Sequence, residues 1–135
     1  MSVVLDTGVI VALYDASDRH HTRARTWYDT FDDDLVTTPL ALAEMDRVAT
    51  EAGARDALWS DLERGAFGVR WWADAMLETI AIARERRSIG LTDASLVALA
   101  ARLRTDRIAT LDLDHFRSLT TRDGEAFVLL PADAT

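Results

Sequence analysis

The sequence has no cysteine and no lysine. The first absence excludes disulfides and thiolate chemistry. The second removes every mechanism that needs a side-chain amine, because all fifteen positive side chains are arginine. No stretch approaches the roughly 20 uninterrupted apolar residues of a membrane span. The basic n-region and cleavage site of a secretory signal are missing too, since the apolar run starts at once and is broken by Asp6. Internal repeats, linkers and low-complexity segments are absent. The expectation is one soluble cytoplasmic domain over residues 1–135, with 49% hydrophobic content, enough to build a core.

Positive charge is also in deficit, with a formal net charge of −8. Acidic proteins repel nucleic acid at long range, because phosphate binding is normally driven by basic patches. A nucleic-acid substrate would therefore need a local site, bridged by a metal or assisted by a basic partner.

Strands and helices alternate along the chain. The run "VVL" (3–5) reads as a short buried strand, closed by Asp6-Thr7-Gly8 and followed by a helix over 9–15. Ala24, Trp27, Tyr28 and Phe31 fall at helical spacing over 19–31. After the acidic break at 32–34, "LVTT" reads as a second strand. Pro39 suits a helical first turn with Thr38 as its cap, and this helix is expected over 39–51. A short helix over 54–64 follows. "AFGVRWW" (66–72) alternates Phe67, Val69 and Trp71 and reads as a third strand. Helices over 73–87 and 92–104 come next, the latter with Thr92 as cap. "RIATL" (107–111) and "AFVLL" (126–130) complete the strands. This order predicts an α/β fold, a three-layer α/β/α sandwich around a mostly parallel sheet of roughly five strands.

Four acids sit in apolar company. Burying a carboxylate costs roughly several kcal/mol unless it is paired, hydrogen-bonded or bound to a metal. Asp6 and Asp112 each follow an apolar strand, at the sheet edge where open parallel sheets place their sites. An Asp in that position also caps the next helix or makes an Asx-turn, and the sequence leaves both readings open. Glu44 has Leu40, Ala41 and Val48 on its helical face, with Arg47 as an alternative surface partner. Asp46 has a similar claim through Leu42, Ala43, Ala49 and Thr50. Asp93 points down the stripe of Leu96, Val97 and Ala100, and it equally suits the positive end of its helix dipole. Together the four would repel, and some would stay protonated without a counter-charge. A hard divalent cation resolves this by taking oxygen ligands from several carboxylates. One or two such ions can activate a water against a phosphodiester.

The blocks "VVLDTGVIVAL", "TTPLALAEMDRV", "LTDASLVALAARL" and "RIATLDLDHF", in that order, resemble the four acidic blocks of PIN domains. They are most similar to the VapC-type toxins of toxin–antitoxin pairs. The resemblance covers nearly the whole chain and implies Mg²⁺- or Mn²⁺-dependent endoribonuclease activity, a cognate VapB-type antitoxin and a homodimer. It implies catalytic and metal-ligating roles for Asp6, Glu44, Asp93 and Asp112. Thr7 stands at the family's usual hydroxyl position, as a support for the first carboxylate or a bound water. Asp114 stands where the family often carries a basic residue, as an outer acid or a solvated turn residue. Arg23, Arg25, Arg117 and Arg122 are candidates for RNA phosphate contacts, or ordinary surface arginines.

Two alternatives belong to other classes. "IATLDLDHF" mimics the nucleophile motif of haloacid-dehalogenase-type phosphatases. That family, however, places the motif near the N-terminus and needs a downstream lysine. A catalytically silent PIN-like module that binds RNA or a partner is the non-enzyme reading. His20, His21 and His115 lack metal-ligand spacing, and solvated or helix-end roles are expected for them. Trp27, Trp59, Trp71 and Trp72 are expected to fill core and interface.

Overall fold

In a computed structural model, which describes residues 1–49 and 51–133, short strands alternate with helices much as the apolar runs require. The strands are β1 (Val3–Leu5), β2 (Leu35–Thr37), β3 (Gly68–Val69), β4 (Arg107–Ala109) and β5 (Val128–Leu130). The helices are α1 (Thr7–Tyr14), α2 (His21–Thr30), α3 (Pro39–Val48), α4 (Ala52–Glu63), α5 (Ala75–Glu85), α6 (Leu91–Leu103) and α7 (Leu113–Arg117). The sheet order is β3-β2-β1-β4-β5, and all four pairings are parallel.

A parallel sheet covered on both faces needs strands that are apolar throughout, because successive side chains point to opposite layers. Val4, Val36, Ile108 and Leu129 face one layer, where they meet Ile82 of α5, Leu96 and Leu99 of α6 and Phe116 of α7. Val3, Leu5, Leu35, Ala109 and Leu130 face the other, against Ile10 of α1, Trp27 of α2, Met45 of α3 and Leu58 of α4. The result is the expected three-layer sandwich. From β1 the chain runs outward to β2 and β3, then returns to build β4 and β5 on the opposite side. The strand order therefore reverses between β1 and β4, the switch point where open α/β sheets leave a crevice.

Several boundaries differ from the sequence reading. The third strand is only Gly68–Val69, at the sheet edge. Phe67 is buried there, but Val69 and Trp71 are exposed rather than sharing its face. An edge strand pairs on one side only, and these two residues find partners only in Val36 and Thr37. Thr92 does not cap α6. The helix starts one residue earlier with Gly90 at its N-cap, and the Thr92 carbonyl instead accepts from Ser95 Oγ at 2.6 Å. The fourth strand stops at Ala109, and the five-residue helix α7 follows Asp112, where no helix was expected. Thr38 caps α3 as expected, accepting from the Ala41 amide, with Pro39 in the first turn. That helix ends at Val48; Thr50, placed on it by the sequence reading, lies outside the described residues. Of the tryptophans, Trp27 is buried, Trp72 is half-buried, and Trp59 and Trp71 are exposed.

Candidate functional site

Asp6 lies one residue beyond β1 and is 8% exposed. Its Oδ1 accepts from the Thr7 amide at 2.7 Å, and its Oδ2 accepts from Thr110 Oγ1 at 2.9 Å. Thr110 follows β4 and is fully buried; its hydroxyl also accepts from the Asp112 amide at 3.0 Å. One hydroxyl thus joins the two strand-end acids. Asp112 caps α7, with Oδ1 accepting from the His115 amide at 3.3 Å. Glu44 sits half-buried in the middle of α3. Asp93 is in the first turn of α6, and its Oδ2 lies 2.8 Å from His115 Nε2.

Buried hydroxyls fix the elements that carry these acids. Thr37 Oγ1 donates to the Leu5 carbonyl at 2.9 Å, tying β2 to β1 just below Asp6. Thr38 and Ser95 share a 2.8 Å hydrogen bond, which holds the start of α3 against the start of α6. Thr7 Oγ1 donates weakly, at 3.4 Å, to the Ala41 carbonyl, linking α1 to α3. The sequence contains neither asparagine nor glutamine. Serine and threonine therefore do all the neutral side-chain work around the site. Thr7 supports Asp6 through its amide, and the hydroxyl that reaches the Asp6 carboxylate is that of Thr110.

All four acids line one open cavity of about 370 Å³ at the β1/β4 switch point. Thr7, Gly8, Val11, Asp18, Val48 and Phe116 complete its wall, and among the described residues no arginine lines it. A Cβ built on Gly8 meets nothing within 4 Å, so this first turn of α1 opens directly onto the space. Asp18 is a fifth acid that the sequence reading missed. It sits in the turn between α1 and α2, outside any apolar periodicity, and its Oδ1 accepts from the His20 amide at 2.8 Å. Thr110 looked like an ordinary strand residue, and His115, expected in a solvated or helix-end role, turns its ring to Asp93.

The acids feel one another. Burial pushes the Asp6 carboxyl up to about 6, against hydrogen bonds from Thr110 and the Thr7 amide that lower it; the charges of Asp93 and Glu44 raise it further. Asp93 is also raised, first by burial and then by Glu44 and Asp112, while His115 pulls it down. Carboxylates of this kind suit a hard divalent cation with oxygen ligands, and the donor set fits Mg²⁺ or Mn²⁺. Among the described residues, no three acidic or histidine side chains are already drawn together as ligands of one ion. Asp6, Asp93 and Asp112 hold their places through Thr110, His115 and backbone amides instead.

Asp6 and Asp112 each cap a helix, as one reading of the strand-end acids has it, and each also lines the cavity. No ion pair joins Glu44 to Arg47 among the described residues. Asp46 turns away toward α4, where its Oδ1 is 3.9 Å from Arg55 Nε. Asp114 is exposed on α7, outside the cavity wall. Arg117 makes two hydrogen bonds to Asp133, and Arg25 pairs with Asp29. Arg122 lines a different cavity, beside Thr105 and Asp106 at the opposite edge of the sheet. Arg23 is exposed and makes no ion pair among the described residues.

Fold and site together define a doubly wound α/β protein with an acidic cavity at its topological switch point. Comparison with known proteins narrows that class. The PIN domain family matches residues 3–120. Ribonuclease VapC26 of Mycobacterium tuberculosis is 34% identical over 135 residues, spanning 96% of this chain and all of that protein. The chain belongs to the PIN-domain family, in its VapC-type branch. Solved structures share the fold at lower identity. VapC20 of M. tuberculosis, described as a sarcin-ricin loop cleaving toxin, has a TM-score of 0.67 and 19% identity, covering 83% of this chain and 91% of that one. VapBC2 from Rickettsia felis, bound to a fragment of promoter DNA, has a TM-score of 0.59 and 14% identity, covering 96% of this chain and 97% of that one. Among the described residues, no helix is long and apolar enough to cross a membrane.

Proposed function

We propose that this chain is a Mg²⁺- or Mn²⁺-dependent endoribonuclease, the toxin of a VapBC-type pair, folded as one PIN-like domain over 1–135. The observation that carries the reading is a cavity walled by Asp6, Asp18, Glu44, Asp93 and Asp112 with no arginine among its lining residues. The name of VapC26, a full-length relative, supports the same activity.

A divalent ion held by Asp6, Glu44, Asp93 and Asp112 would offset their repulsion and supply a Lewis acid for phosphodiester hydrolysis. The chain's own residues do the rest. Thr110 holds Asp6 with one lone pair on each carboxylate oxygen still free, because each oxygen accepts a single hydrogen bond. Glu44 and Asp93 approach from two helices that the Thr38–Ser95 bond keeps in register. Gly8 leaves room beside Asp6 for a phosphate that a larger side chain would displace. Of the four candidate arginines, Arg23 and Arg122 make no ion pair among the described residues, whereas Arg25 and Arg117 would first have to leave Asp29 and Asp133.

The partners we propose are an RNA substrate, a VapB-type antitoxin and a second copy of the chain, in the cytoplasm. Purified protein freed of antitoxin should cut structured RNA with Mg²⁺ or Mn²⁺, leaving 3′-hydroxyl and 5′-phosphate ends. These ends follow because water, not the 2′-hydroxyl, is the nucleophile. A 2′,3′-cyclic phosphate would overturn the mechanism, and no cleavage at all would leave a silent RNA- or partner-binding module.

A further inference from the structure

We infer that His115 is a positioning residue that locks Asp93 and Asp112 into one unit and so sets how the acidic cavity receives a divalent cation. The inference rests on the metal-dependent reading above. Its geometry is a short chain of bonds. The Asp112 carboxylate accepts from the His115 amide at 3.3 Å, and the His115 ring reaches across to Asp93 Oδ2 at 2.8 Å. Asp112 lies at the start of α7 and Asp93 at the start of α6, so one residue couples two elements that are distant in sequence.

An ionised Asp93, the form a cation would need, can only accept, so it takes its hydrogen from Nε2. One lone pair of Oδ2 is then taken, which leaves its other lone pair and both of Oδ1 for the cavity. The ring is fixed in turn by an edge contact with Phe116, at 5.3 Å and 90°, and Phe116 is buried and lines the same cavity. A helix of five residues has little stability alone, because nucleation is unfavourable. The Asp112 cap, the buried Phe116, the Asp93 bond and the Arg117–Asp133 pair hold α7 in place. Hydrogen-bond partners behind a ligating carboxylate typically change metal affinity by about 10–100-fold when removed.

Two volume-filling variants separate donation from packing. Gln places an amide N–H close to where Nε2 stands, and Met fills similar space without a donor. Calorimetric titration with Mn²⁺ alone, in the absence of RNA, reads the effect directly. His115→Met should bind Mn²⁺ about 10–100-fold more weakly than the native protein, and His115→Gln should recover most of that loss. In cleavage assays kcat should fall for His115→Met, with KM for RNA little changed. Native-like Mn²⁺ affinity in a folded His115→Met protein would overturn the inference while leaving the nuclease reading intact. Equal loss in both variants would also overturn it, since a donor at that position would then not matter. A native protein that neither binds Mn²⁺ nor cuts RNA would defeat the nuclease reading and this inference with it.

Discussion

Asp6→Asn should make the metal-free protein more stable while destroying its activity. Asp6 titrates near 6 in the folded chain, against an ordinary value of 3.8, and burial is the largest cause. Below pH 3.8 the group is protonated in both states and costs nothing. Between 3.8 and about 6 the unfolded chain releases the proton and the folded chain keeps it, so stability falls as pH rises. Above that interval the full penalty remains, about 3 kcal/mol from a shift of this size. Asparagine carries no charge, yet it still serves as an N-cap for α1 and accepts from the Thr7 amide. Urea unfolding in EDTA at pH 8 should therefore show Asp6→Asn more stable by about 2–3 kcal/mol. The gap should close toward zero at pH 4. Equal stability at pH 8, or a gap unchanged between pH 4 and 8, would refute the argument that burial and neighbouring acids strain Asp6. Divalent cation should reverse the order, because only the native carboxylate gains from it.

Thr110→Val, nearly isosteric, removes the strongest influence that lowers Asp6; its carboxyl should then titrate above about 6 by carbon NMR, and an unchanged value would contradict the role given to Thr110. Leu99→Ala should cost about 2–5 kcal/mol in urea unfolding, since Leu99 is a fully buried core residue of α6, while cleavage well below the melting point persists. Sedimentation should show concentration-dependent dimerisation, and a monomer at high micromolar concentration would contradict the proposed homodimer.

The layered architecture was legible because each strand of a doubly covered sheet is a short continuous apolar run, and each helix shows a separate periodicity. What escaped has physical reasons. A five-residue helix such as α7 is too short to display a period, and it forms on the Asp112 cap and the buried Phe116 instead. β3 is an edge strand, where backbone pairing with Val36 and Thr37 decides the structure and alternation of side chains does not. Within α3, Glu44 and Asp46 looked equivalent in sequence, but two residues along a helix turn by about 200°, so only one can face the cavity. Glu44 is the one that lines the cavity, while Asp46 lies beside Arg55 of α4. The four acids could be found from their apolar flanks. Their support could not, because a threonine after a strand and a histidine three residues past an aspartate carry no periodic signal. Thr110 and His115 gain meaning only when the chain closes and brings them within hydrogen-bond reach of Asp6 and Asp93.

The central claim is that carboxylates gathered at the switch point cut RNA with the help of a divalent cation. The most direct measurement is cleavage of a structured RNA by purified, antitoxin-free protein in EDTA, followed by Mn²⁺ added back, with Asp93→Asn run alongside. The native protein should be silent in EDTA and active on addition of Mn²⁺, and folded Asp93→Asn should stay silent throughout. Cleavage by the native protein in EDTA, or by Asp93→Asn after Mn²⁺ is added, would contradict the account.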